Sequence, residues 1–188
     1  MPTEHQLPPL ELLKRTALLV DVDGTTTNLE RQITARTLRA ITQAQQEQLR
    51  IGLRTGRQVA QLYHYVLPKF PEDSTHVVGG GGQVVTAKGE VLWKRELPGE
   101  IVYQLCQQAD HLGCGYGFGV GPVFYANEPL LTRFENDTWS VDARRAIGLR
   151  DWSTPLLVIN YLNPAMEEVI AATTGIEVKR MVGKDNVA

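Results

Sequence analysis

The stretch LLVDVDGTTT, residues 18–27, places two aspartates and a glycine directly after an apolar segment. Residues 16–22 form the short apolar run that is typical of a strand buried on both faces of a parallel sheet. Because side chains alternate along a strand, Asp21 and Asp23 project on the same side. Gly24 lets the backbone turn sharply after them. We therefore expect both carboxylates at the carboxyl end of a first strand, where open α/β sheets bind their ligands.

These two aspartates lie close enough to repel each other unless a cation lies between them or one is protonated. The pair is suited to a nucleophile and a proton donor that work together with a Mg²⁺ ion. Asp-x-Asp-Gly also occurs in ordinary polar turns, so the tetrapeptide alone leaves both interpretations open.

Further along the chain, strand and helix patterns alternate. Residues 35–49 have apolar residues at helical spacing, and residues 50–54 resemble a second short strand. Residues 57–67 carry an apolar stripe at the spacing of an amphipathic helix. A third strand follows at 75–78 and ends in the glycines of 79–82. This βαβαβ order predicts a parallel sheet covered by helices.

The tripeptide Thr55-Gly56-Arg57 ends the second predicted strand and opens the next predicted helix. A hydroxyl beside the free N–H groups of a helix N-terminus is suited to holding a phosphate oxygen. Arg57 could add positive charge there, although by itself it reads as a surface residue of the first helical turn.

The pattern changes after the four glycines, and residues 83–180 read as a second, antiparallel α+β unit. Its elements are a hairpin at 83–94, a helix at 99–112, strands within 115–126 and 156–162, a helix at about 164–173 with Asn163 as its N-cap, and a strand at 175–182. The alternating glycines of 113–121 predict a strand and a turn in which bulky side chains are unwanted, since no phosphate-loop motif accompanies them.

Composition indicates an ordinary globular chain. Of its 188 residues 43% are hydrophobic and 21% charged, and the formal net charge is −2. The charge balance gives no electrostatic reason to expect nucleic acid as a partner. No apolar stretch is long enough for a membrane span or a signal peptide, so we expect a cytosolic protein. Cys106 and Cys114 fit no zinc or disulfide pattern and read as small apolar side chains.

The order LLVDVDGTTT, GLRTGR and VVGGGGQVV resembles the haloacid dehalogenase (HAD) superfamily, and more narrowly its Cof-type sugar-phosphate phosphatases. The resemblance is specific over about 16–94 and covers the later residues only in outline. It implies a Rossmann-like α/β core with an inserted α+β cap. On that basis residues 1–82 would be the first half of the core, 83–180 the cap and 181–188 the start of a return to the core.

Carried over to this sequence, the resemblance implies that Asp21 is the nucleophile and that Asp23 is the general acid and base. It implies Mg²⁺ bound by the Asp21 carboxylate and the Asp23 backbone carbonyl, and phosphate held by Thr55 and Gly56. The substrate would be a small phosphorylated metabolite chosen by the cap. Which of five candidate cap residues face the site is left open: Tyr116, Phe118, Tyr125, Arg133 and Arg144.

The sequence departs from the family at its C-terminal end. Lys184 could be the lysine of the third motif or a solvated residue, and the acidic Gly-Asp…Asn-Asp loop that completes the family's metal site does not follow. The chain is thus either a fragment or a short form with an incomplete metal site. Two alternatives to a phosphatase stay open, a phosphomutase and a catalytically incomplete binding protein, and so does the oligomeric state.

Overall fold

The computed structural model describes residues 17–134, 142–146 and 148–179. The first unit comprises five strands and one α-helix: β1 (Ala17–Val20), α1 (Ala35–Gln46), β2 (Arg50–Leu53), β3 (Thr75–Val78), β4 (Gln83–Thr86) and β5 (Val91–Lys94). Strands β1 and β2 are parallel, with Ala17 opposite Arg50 and Val20 opposite Leu53. A parallel bridge between Arg54 and Val77 joins the end of β2 to β3. The predicted α/β architecture with a parallel sheet is confirmed.

The hairpin predicted at 83–94 is present as β4 and β5. Strand β4 pairs antiparallel with both β3 and β5, so the hairpin extends the first sheet. The hydrogen bonds of β4 attach residues 83–86 to the core strands. The division of the chain into core and cap at residue 83 stays a prediction.

Helix α1 forms where its periodicity predicts. The Thr34 side chain caps its N-terminus by accepting a hydrogen bond from the Thr37 N–H at 3.2 Å, and Ile41 is buried against the sheet. The prediction of an α-helix over 57–67 is wrong. The segment forms two 3₁₀ turns, Val59–Gln61 and Leu67–Lys69. Pro68 lacks an N–H and its ring clashes with the carbonyl four residues earlier, so an α-helix could not continue through this position.

The second unit comprises three helices and four strands: α2 (Gly99–His111), β6 (Gly115–Val120), β7 (Val123–Ala126), α3 (Glu128–Phe134), β8 (Asp142–Arg145), β9 (Leu157–Asn160) and α4 (Pro164–Ala172). Its strand order is β8-β7-β6-β9, antiparallel except for the parallel pair β7 and β8. Helices α2 and α4 pack on one face of this sheet, with Phe118 and Met166 in the core. Asn163 caps α4 as predicted, accepting from the Met166 N–H at 2.9 Å.

Two parts of the second unit differ from expectation. Helix α3 and strand β8 lie in a stretch that carries no clear period in the sequence. The strand predicted at 175–182 is not formed over 175–179, where Val178 is exposed, and the remainder of that range lies outside the described residues. An alternating pattern makes a strand only where a neighbouring strand can accept its hydrogen bonds.

Strand β1 is less covered than its composition predicts. Among the described residues it pairs only with β2, and Leu18 is 52% exposed with Leu19 also exposed. Burial on both faces is therefore wrong for this strand, because Leu18 and Leu19, which alternate between its faces, are both exposed among the described residues. Within the described ranges no helix is long and apolar enough to cross a membrane.

Candidate functional site

The turn after β1 is held together by the threonines of the DGTTT stretch. The Thr26 N–H and hydroxyl both donate to the Asp21 carbonyl, at 3.1 and 2.7 Å. The Thr27 N–H and hydroxyl do the same to the Val22 carbonyl, at 2.9 and 3.0 Å. Gly24 has a φ of 74°, a region that other residues rarely enter. Buried threonine hydroxyls thus fix the backbone that carries both aspartates.

The alternation predicted along this strand end is present. Val22 is fully buried, whereas Asp21 and the Asp23 carboxylate are accessible to solvent. Val22 is buried in the core of the first unit, and this burial anchors the turn. The two carboxylates are therefore presented together at the carboxyl end of β1.

The turn Thr55-Gly56-Arg57 follows β2, the strand next to β1. The Thr55 N–H donates to the Val77 carbonyl at 3.0 Å, and its carbonyl accepts from the Gly80 N–H at 3.2 Å. Its hydroxyl oxygen accepts from the Arg57 N–H at 3.2 Å. A Cβ on Gly56 would have no heavy atom within 4 Å, so packing does not require glycine there and the backbone is open to a ligand. The glycine-rich end of β3 thus holds the turn in place beside the aspartates.

Arg57 joins these two turns. Its Nε donates to Oδ2 of Asp23 and its Nη2 to Oδ1, both at 2.7 Å. Hydrogen bonding to this guanidinium holds the pKa of the Asp23 carboxyl below its ordinary value, against the opposing effect of partial burial. The reading of Arg57 as a surface residue is therefore wrong, since its side chain is only 14% exposed. Its place directly after Thr55-Gly56 was a signal of its location, but no local pattern indicated Asp23 as its partner.

The donor set suits a hard cation in part. Oxygen ligands such as the Asp21 carboxylate and the Asp23 carbonyl are those that Mg²⁺ prefers, and this ion usually retains several waters. In the described part of the chain no group of three His, Cys, Asp or Glu side chains could hold a metal. The residues present fit a weakly held Mg²⁺. Lys184 lies outside the described residues.

The aromatic residues considered for the cap do not point to a substrate site. Tyr116 and Phe118 are buried in the core of the second unit, and burial with the nearby Asp110 raises the Tyr116 pKa. Tyr125 stacks on Phe118 with ring centroids 6.0 Å apart. Arg144 is exposed and pairs with Asp142 at 2.8 Å. The side chain of Arg133 lies outside the described ones.

Residues just after Arg57 contact the second unit, which the sequence did not indicate. The Gln58 Oε1 accepts from the Gly119 N–H of β6 at 2.5 Å. Ala60 is buried against Phe124 and Leu130. The turn Thr55-Gly56-Arg57 is therefore continuous with a contact between the two units.

Comparison with known proteins gives a consistent result. A family profile described as haloacid dehalogenase-like hydrolase matches residues 18–148. No curated protein sequence matches the chain.

Among solved structures, BT1666 from Bacteroides thetaiotaomicron is 17% identical, with a TM-score of 0.65 over 95% of this chain and 68% of its own. BT1666 is described among the phosphatases of the HAD superfamily. A hypothetical protein of Geobacillus kaustophilus HTA426 is 19% identical, with a TM-score of 0.63 over 82% of this chain and 60% of its own. The HAD subclass IIB sugar phosphatase BT4131 is 19% identical, with a TM-score of 0.53 over 69% of this chain and 52% of its own.

The chain therefore spans about half to two thirds of the length of these structures, and at such identities they show the fold alone. The family match is the stronger evidence, since it is a match of sequence that covers well over half of the chain and includes both turns that carry Asp21, Asp23 and Thr55. On that match the chain belongs to the haloacid dehalogenase-like hydrolases.

Proposed function

We propose that this protein is a Mg²⁺-dependent phosphatase that hydrolyses a small phosphorylated metabolite through an aspartyl-phosphate. One observation carries the proposal: Asp21, Asp23 and Thr55 lie at the carboxyl ends of neighbouring parallel strands, with Arg57 joining the two turns. Two carboxylates beside the Thr55 hydroxyl and the Gly56 backbone N–H provide a nucleophile, a proton donor and an anion-binding turn.

In this mechanism Asp21 and Asp23 have separate tasks. The Asp21 carboxylate attacks phosphorus and forms the P–O bond while the bond to the leaving oxygen breaks. Asp23 gives its proton to that oxygen and later takes one from the water that hydrolyses the aspartyl-phosphate. The two carboxylates differ in their surroundings, because Arg57 holds Asp23 by both carboxylate oxygens and keeps its pKa low. Asp23 therefore takes up a proton before it acts as the acid, and its ionised form suits the later step in which it takes a proton from water.

The phosphate group would be held by the Thr55 hydroxyl and the Gly56 backbone N–H, with Lys184 as a further proposed contact. Mg²⁺, bound by the Asp21 carboxylate and the Asp23 carbonyl, would neutralise charge on the phosphate. A sugar phosphate is the substrate class we favour, in keeping with a Cof-type enzyme, because one similar fold belongs to a sugar phosphatase. A cytosolic location remains part of the proposal.

The test is hydrolysis of p-nitrophenyl phosphate and of a panel of sugar phosphates by the full chain. We expect Asp21→Asn to abolish release of free phosphate without lowering the midpoint of thermal unfolding, and EDTA to abolish it reversibly. Asp73→Asn is the matched control, since Asp73 is exposed and lies away from the turns. Undiminished turnover by a folded Asp21→Asn chain would refute the mechanism, and formation of an isomeric sugar phosphate would indicate a mutase.

A further inference from the structure

The guanidinium of Arg57 holds both oxygens of the Asp23 carboxylate, each at 2.7 Å. A guanidinium presents a rigid planar fork, so a bidentate contact sets the orientation of a carboxylate as well as its distance. A lysine ammonium in the same place would act as a point charge and leave the carboxylate free to rotate. The contact therefore fixes the orientation of the Asp23 carboxylate as well as neutralising its charge.

The position of Arg57 is itself fixed by its backbone. Its N–H donates to the Thr55 hydroxyl oxygen at 3.2 Å, and its carbonyl accepts from the Gly79 N–H at 2.8 Å. Exposed ion pairs usually contribute little because both side chains remain mobile. Here the Arg57 side chain is 14% exposed, whereas that of Asp23 is 50% exposed. The less exposed, anchored partner determines where the more accessible one lies.

We propose that Arg57 is a positioning residue for Asp23, which fixes its carboxyl beside the Thr55 turn before a phosphorylated substrate arrives. This inference rests on the proposed function, because the orientation matters only if Asp23 exchanges a proton with substrate and water. In ionised Asp23 both carboxylate oxygens accept from Arg57. When Asp23 acts as the acid, one oxygen gives up this bond and carries the proton that moves to the leaving oxygen, and the other keeps its hydrogen bond to Arg57. The orientation is thus maintained through the transfer, and the proton is regained from water.

A double-mutant cycle separates this role from direct phosphate binding. The variants are Arg57→Ala, Asp23→Asn and the double variant, assayed with p-nitrophenyl phosphate and Mg²⁺. We expect Arg57→Ala to lower kcat by about 10–100-fold, with KM changed by less than about threefold. This loss is smaller than the roughly 10²–10⁴-fold that general acid–base catalysis contributes, because Asp23 itself is still present. In the Asp23→Asn background the same change should cost less than about threefold further, because the group it positions is gone.

Two further variants sharpen the comparison. Added guanidinium ion should restore part of the lost kcat to Arg57→Ala. Arg57→Lys should keep a kcat well below that of the unaltered chain, because an ammonium cannot hold both carboxylate oxygens as a planar fork does. Arg54→Ala is the matched control, because it also removes one positive charge at the end of β2 but from an exposed side chain. We expect it to keep the kcat of the unaltered chain.

Several results would overturn the inference. A raised KM with unchanged kcat would assign Arg57 to phosphate binding, and equal kcat losses in Arg57→Ala and Arg54→Ala would reduce its effect to charge. Full additivity of the kcat losses in Arg57→Ala and Asp23→Asn would show that Arg57 does not act through Asp23.

Failure of the proposed function looks different, because the unaltered chain would then show no turnover at all. The pair itself is read without turnover from the Nε–H NMR resonance of Arg57. This resonance should move in Asp23→Asn and stay in place in Asp73→Asn. An Nε–H resonance unmoved by Asp23→Asn would overturn the inference in an active or an inactive chain.

Discussion

At the scale of single residues, His76 is a titratable group inside the core of the first unit. It is fully buried, its Nδ1 accepts the Leu53 N–H at 3.2 Å, and its ring lies edge-on to Phe70 with centroids 5.1 Å apart. Its Nε2 has no hydrogen-bond partner among the described residues. Burial lowers the pKa of His76 from 6.5 to about 4, because the charged form would lose its hydration.

This pKa makes stability depend on pH in a defined direction. Between pH 6.5 and about 4 the unfolded chain binds a proton at His76 and the folded chain does not. The free energy of unfolding should therefore be highest near neutral pH and fall on acidification by about 1.4 kcal/mol per pH unit, roughly 3 kcal/mol in all. Urea unfolding at a series of pH values measures this slope.

The matched variant for this measurement is His76→Asn, whose amide oxygen can accept the Leu53 N–H but does not titrate. It should be less stable at neutral pH, because the ring contact with Phe70 is lost, and it should show a shallower slope below pH 6.5. Identical slopes in the two proteins would mean that other groups cause the acid sensitivity.

At the scale of elements, two glycines of strand β6 are explained by packing, Gly119 against the Gln58 segment and Gly117 against Phe124. A Cβ on Gly119 would lie 2.9 Å from the Gln58 Oε1, and one on Gly117 would lie 2.5 Å from the Phe124 ring. Gly119 is also held through its carbonyl, which accepts from the Thr154 hydroxyl at 3.1 Å. The alternating glycines thus allow the second unit to contact the turn that carries Arg57.

Gly119→Ala should therefore weaken the contact between the units. We expect the free energy of unfolding to fall by about 1–3 kcal/mol, the usual cost of overpacking, as measured by urea unfolding. Gly115→Ala is the control on the same strand, because its added methyl would meet the exposed ring of Tyr161, which can move. Equal losses in the two variants would mean that strand flexibility, and not the Gln58 contact, determines the cost.

How far the sequence predicts these elements depends on whether local signals agree with tertiary neighbours. Helix α1 and the Asn163 cap of α4 follow from period and capping chemistry, which are local. The segment 57–67 carries a helical stripe but ends at Pro68, and β1 has the composition of a central strand but an exposed edge. The Arg57–Asp23 pair joins residues 34 positions apart, so no local pattern could predict it.

At the scale of the whole molecule, the first sheet runs β1-β2-β3-β4-β5 and has apolar residues at both edges. Strand β5 exposes Leu92 and Trp93, but it ends in Lys94, which pairs with Glu96 at 2.8 Å. Strand β1, with the sequence ALLV, carries no charge at all. Charged side chains on an edge strand discourage pairing with other chains, so within the described ranges β1 is the less protected of the two edges.

We therefore expect the chain to self-associate through β1, with a weight-average mass that rises with concentration in sedimentation velocity. Leu18→Lys should reduce this association, because a lysine on an edge strand must lose hydration for another strand to pair beside it. Leu29→Lys makes the same chemical change at a side chain that is 86% exposed but lies outside any strand, so it should leave association unchanged. A chain that sediments as a single species at every concentration, or equal effects of the two lysines, would show that the β1 edge does not drive association. Asp21 directly follows β1, so a change in this strand could also disturb the site. Loss of association in Leu18→Lys with unchanged Arg57–Asp23 contacts would show that the β1 edge acts independently of the site.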